Sequence, residues 1–169
     1  MEEGLVSASE GRGHAVELRK EAYTMALYVA ICLLAALIAL PKSPVTRGQV
    51  MGIIWGVTVG LAAAHWFAFR VSARLVGAGS IREHDIELGA AQLAGAAAVA
   101  LLVSIPVLIL PPSVELQFAE FELAAFIALV GYAVARRGGA RRARAFVYAL
   151  AMLTVGVGIA ALKNVLAGH

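Results

Sequence analysis

The sequence predicts an all-α, polytopic membrane protein with five transmembrane helices, its N-terminus cytoplasmic and its C-terminus outside. Three observations lead there. The chain is 61% hydrophobic and only 15% charged, with a mean hydropathy of +0.84, whereas soluble domains sit near half apolar and a quarter charged. Five apolar runs approach or reach the roughly 20 residues that cross a bilayer as helix. Lys and Arg alternate between the flanks of these runs, eleven on one side and three on the other, and the richer side is expected to be cytoplasmic. Residues 1–20 read as a polar cytoplasmic tail, and 21–169 as one membrane domain with spans at about 23–41, 49–70, 87–110, 114–135 and 146–164.

The tail carries Glu2, Glu3, Glu10 and Glu17 beside Arg12, Arg19 and Lys20. Its polarity predicts disorder at its start, although HAVELRKEAYT from His14 could extend the first helix inward. The run behind it, Tyr23–Leu40, is long enough to span and lacks a small-residue cleavage site, so it reads as a retained anchor rather than a secretory signal. It contains Cys32, the only cysteine. With no disulfide partner and no metal-motif spacing, that residue reads as a small packing side chain.

The second run holds a ladder, Gly48, Gly52, Gly56 and Gly60, continued by Ala64. Lipid tails are as apolar as leucine, so helices associate in a bilayer where small residues let backbones come close. A four-residue step turns about 400°, so the ridge drifts by about 40° per glycine, and one straight partner cannot follow it all. Two readings stand: tight packing within the chain, against the small residues of the third and fifth runs, or a subunit interface. At the far end of this run lie His65, Trp66, Phe67 and Arg70. Trp66 and Phe67 fit an interfacial aromatic belt, while Trp55 is deeper and is expected to pack.

The third run returns from the same side. Arg70 with Glu87 or Asp85, and His65 with Gln92, are therefore expected cross-helix pairs, an inner clasp on the hairpin. His65 reads either as a packing residue or as a proton-sensing, pore-lining one. Pro106, with Ser104 nearby, is expected to kink this helix.

The fourth run opens PPSVELQFAEFELAAF. Pro111, Pro112 and Ser113 suit a helix start, with serine as N-cap, and Glu115 suits the positive end of the helix dipole. Glu115, Gln117, Glu120 and Glu122 are the candidate ion-interacting residues. Intramembrane ionisable groups point to function, and on the outer side only Lys42, Arg47 and Lys163 could neutralise these. Either the glutamates pair with those cations, or they line a watery, cation-attracting outer mouth that copies of the chain would turn into acidic rings. The bland alternative places this segment at headgroup level.

The turn before the fifth run, ARRGGARRARA, carries Arg136, Arg137, Arg141, Arg142 and Arg144. It sets topology and offers anionic lipids a basic surface. Together with IIWGVTVGLAAAHWFAFRVSARL and the ending KNVLAGH, it resembles small uncharacterised integral membrane proteins of high-GC Gram-positive bacteria, a resemblance that brings no activity with it. There is no nucleotide loop, no nucleophile with a base and no pair of histidines at ligand spacing, so neither an enzyme, a metal nor a cofactor is expected. The basic charge is explained by the flank bias rather than by nucleic acid. The expected function is a small homo-oligomeric channel or transporter of the cell membrane, cation-favouring, with the bilayer and ions as partners. The alternative is a non-transporting accessory or scaffold protein that packs through its small-residue faces.

Overall fold

The computed structural model describes residues 2–40, 45–76 and 83–166. Lys42 and Arg82, counted above for orientation, lie outside the described residues, as does the side chain of Lys163. The regular structure described is all helical: α1 (Glu2–Ile38), α2 (Arg47–Val76), α3 (Glu83–Ile109), α4 (Glu115–Arg137) and α5 (Arg142–Leu166). Five segments are long and apolar enough to cross a membrane: Gly13–Ile38, Arg47–Ser72, His84–Ile109, Glu115–Arg137 and Arg142–Ile159. By length and composition they suggest a multi-pass membrane protein.

The first helix departs most from expectation. Helix extends beyond the stretch from His14 that the sequence allows: residues 2–20 are helical throughout and continuous with the span. Good helix formers, Ala15, Glu17, Leu18, Arg19, Lys20, Glu21 and Ala22, carry the turn pattern through the boundary. α1 is also the hub of the bundle and packs against each of the other four helices. Its buried residues Ala26, Val29, Ala30, Leu33 and Leu37 recur at three- and four-residue steps, the periodicity of one helix face. Cys32 is buried among them.

Among the described residues, glycine lets helix backbones come close at Gly95 and Gly131. A Cβ on Gly95 of α3 would overlap the backbone carbonyl of Ala22 on α1. A Cβ on Gly131 of α4 would lie 3.0 Å from the Met152 Cβ and 3.3 Å from the Ala149 Cα of α5. Both sites let backbones meet where association depends on packing rather than on hydrophobicity.

The glycine ladder of α2 plays no such part. A Cβ on Gly48, Gly52, Gly56 or Gly60 would meet nothing within 4 Å, and all four, with Ala64, are exposed. This corrects the expectation that the ladder packs within the chain. α2 instead buries Val50, Ile54 and Thr58. That stripe is offset by two residues, about 200°, from the glycines. The Thr58 hydroxyl satisfies itself by donating to the Ile54 carbonyl at 2.7 Å.

The helix ends are defined by backbone bonds. α3 continues through Pro106 to Ile109, and the Ser104 hydroxyl donates to the Ala100 carbonyl at 2.7 Å. α4 does not take Ser113 as its N-cap. The cap residue is Val114, with no side-chain bond, because the Val114 and Glu115 amides both donate to the Pro111 carbonyl at 3.1 Å and close the turn by themselves. At the other end Gly139 adopts a φ of +80°. Gly139 N–H donates to Arg136 and Ala140 N–H to Ala135, each at 3.1 Å, the paired bonds of a left-handed helix C-terminus.

Candidate functional site

Polar side chains gather at the end of the bundle that holds the N-termini of α1 and α3. On α1 they follow a strict spacing of three and four: His14, Glu17, Glu21, Thr24 and Tyr28. That spacing keeps them on one face. They are set in a segment apolar enough to span a membrane, where polar groups are costly unless they are satisfied.

The deeper part of this stripe borders a cavity of about 260 Å³ lined by Glu21, Thr24, Met25, Tyr28, His65 and Gln92. Three helices contribute. Gln92 of α3 is only 7% exposed, and its amide donates to Oε2 of Glu21 at 2.7 Å. His65 of α2 lines the cavity from the exposed side. The Thr24 hydroxyl donates to the Lys20 carbonyl at 2.9 Å. Gln92 and His65 thus border one space, while the direct partner of Gln92 is Glu21, which sequence reasoning had left in the approach to the span.

One to two turns nearer the helix ends, four residues interlock. His14 Nε2 donates to Glu87 Oε2 at 2.7 Å, and His84 Nε2 lies 3.5 Å from Glu17 Oε2. The two imidazole rings are 5.2 Å apart at 43°. Glu87 is therefore engaged by α1. The expected Arg70–Glu87 clasp is replaced, because the helical continuation of α1 brings His14 to α3. Arg70 instead stacks over the Trp66 ring at 5.0 Å. Trp66 in turn covers Gly89 of α3, where a Cβ would overlap the indole, so it packs between helices rather than serving only as a belt residue. Asp85 is half-buried on α3 beside this cluster.

The residues predicted at the other end do not converge. Glu115 is 2% exposed and accepts a bond from Arg47 Nε at 3.1 Å. The Arg47 Nη2 donates to the Leu110 carbonyl at 2.6 Å. One guanidinium therefore ties α2 to the α3–α4 turn and neutralises Glu115, leaving it no free charge for an ion. Gln117 is exposed and Glu120 half-buried. Glu122 borders an outward-facing groove of about 440 Å³ with Pro106, Ile109, Phe118 and Phe121. Its Oε2 is covered and has no hydrogen-bond partner among the described residues.

His14 and Glu17 fall in residues 1–20, which read as a polar tail, and Glu21 falls at the edge of the membrane domain, so neither reading singles them out. A signal was present: His14-Ala-Val-Glu17 and His84-Asp-Ile-Glu87 repeat one pattern, and residues three apart share a helix face.

No protein family, curated protein or solved structure matches the chain.

Proposed function

We propose that the protein is a small cation channel or transporter of the cell membrane, with its N-terminus cytoplasmic. The observation that carries the reading is the Glu21–Gln92 pair. A carboxylate within a spanning helix is held by a buried amide at 2.7 Å and opens on a cavity shared with His65. Intramembrane carboxylates that face a cavity mark ion pathways. Glu120 and Glu122 add separate acidic groups toward the opposite end, and self-association would place copies of them around an axis. The exposed arginines Arg136, Arg137, Arg141, Arg142 and Arg144 lie on the cytoplasmic side in this orientation, against anionic lipid headgroups.

Cation flux into proteoliposomes tests the reading. Glu21→Gln and Gln92→Leu are each expected to lower flux at least tenfold in protein that remains folded. Flux unchanged in both variants overturns the assignment of that site.

A scaffold reading has its own support in the outward-facing glycines of α2, which would let another membrane helix approach closely. Stoichiometric co-purification of a membrane partner that is lost in Gly52→Leu and Gly56→Leu would favour it over transport.

A further inference from the structure

We propose that His14, Glu17, His84 and Glu87 bind a divalent transition-metal ion of the zinc class and so join α1 to α3. The proposal does not rest on the transport reading. Each helix supplies one His-x-x-Glu turn, and the two turns lie side by side. The ligand atoms of His14, His84 and Glu87 already lie within 4.8 Å of one another, and Glu17 Oε2 is 3.5 Å from His84 Nε2.

The donor set decides the class of ion. Two imidazoles and carboxylate oxygens suit zinc and its borderline neighbours, while calcium and magnesium prefer oxygen alone. Metal–ligand bonds of about 2.0–2.1 Å in a tetrahedral site put neighbouring donors about 3.3 Å apart. The His84–Glu17 separation of 3.5 Å already approaches that edge. The His14–Glu87 separation of 2.7 Å is shorter, the length of a hydrogen bond. Metal binding replaces that hydrogen bond, and the two donors spread to the coordination distance. The remaining contraction falls to side-chain torsions, since all four side chains are between 38% and 52% exposed and are free to turn without moving the helices. The backbones are fixed a turn or two deeper, where Gly95 meets Ala22.

His65 is the remaining histidine among the described residues, and it lines the cavity rather than this cluster. A metal-dependent signal can therefore be assigned by substitution.

The test is Co²⁺ titration of the full-length protein in detergent, purified without a histidine tag, followed by displacement with Zn²⁺. The expected result is one Co²⁺ per chain, with visible d–d bands of tetrahedral intensity that Zn²⁺ abolishes. His14→Ala and His84→Ala are each expected to weaken binding at least tenfold. Glu87→Gln, which keeps the shape and a hydrogen-bonding group, is expected to weaken binding while leaving helicity unchanged. Absence of saturable Co²⁺ or Zn²⁺ binding to folded protein overturns the proposal. So does binding that persists unchanged in the double variant His14→Ala/His84→Ala.

Discussion

The Arg47–Glu115 pair predicts an asymmetry between its two halves. Removing Arg47 strands a carboxylate whose side chain is only 3% exposed and takes away its ion-pair partner. Breaking a buried pair from one side costs about 3–5 kcal/mol. Because the Arg47 side chain is 40% exposed, water can follow it in, and the lower end, about 3 kcal/mol, applies to Arg47→Ala. Removing Glu115 instead strands a cation with a long stem and an open side. Arg47 can carry its charge outward while keeping its bond to Leu110, so Glu115→Leu is expected to cost about 1 kcal/mol, the scale of a partly exposed pair. The double variant Arg47→Met/Glu115→Leu leaves no charge behind and should cost no more than Glu115→Leu. A difference of about 2 kcal/mol between the single variants is about a thirtyfold ratio in the folding constant. Reversible unfolding by SDS in bicelles, read through Trp55 and Trp66 fluorescence, resolves a change of that size. Equal effects of the single variants, or a double variant as unstable as Arg47→Ala, would refute the claim that burial of Glu115 is the deciding term.

Two further predictions concern glycines. Gly95→Leu should prevent recovery of folded protein, since even a Cβ there overlaps the Ala22 carbonyl, whereas Gly56→Leu should leave the monomer fold within about 0.5 kcal/mol of the parent; size-exclusion profiles and SDS unfolding separate the two. Gly139→Ala should cost about 1–2 kcal/mol because its φ of +80° is left-handed, while Gly138→Ala, at a φ of −75°, should cost little in the same unfolding measurement.

The apolar runs made the five helices legible; α3, α4 and α5 begin and end within about four residues of where hydropathy puts them, while α2 runs on to Val76. Two features were not legible for physical reasons. Hydropathy finds where a helix enters apolar solvent, not where its backbone starts turning, so residues 1–20 read as tail although α1 already turns from Glu2. The glycine ladder showed that one face of α2 is smooth but not which way that face points. The bundle gets its close contacts from Gly89 and Gly95 on α3 and Gly131 on α4. α2 can therefore meet α3 through Trp66 against Gly89, bury Val50 and Ile54 in the core and turn its smooth face outward.

The same reasoning changes which carboxylates matter. In sequence, Glu115, Glu120 and Glu122 stood out because Lys and Arg are absent from the connection before them. Charge balance in a bundle is set by neighbours in space, and Arg47 at the start of α2 reaches the α3–α4 turn from 68 residues away. Once Glu115 is matched, Glu120 and Glu122 remain, of which only Glu122 has a covered oxygen without a partner among the described residues. At the other end the balance runs differently. Glu21 meets a neutral amide, and Glu17 and Glu87 meet imidazoles, groups that can release or exchange a proton where a guanidinium cannot. A carboxylate held by such partners keeps the capacity to trade them for an ion, whereas Glu115 in its guanidinium pair does not. That difference in partner chemistry, more than depth in the bilayer, moves the functional argument from α4 to the α1–α3 end of the bundle.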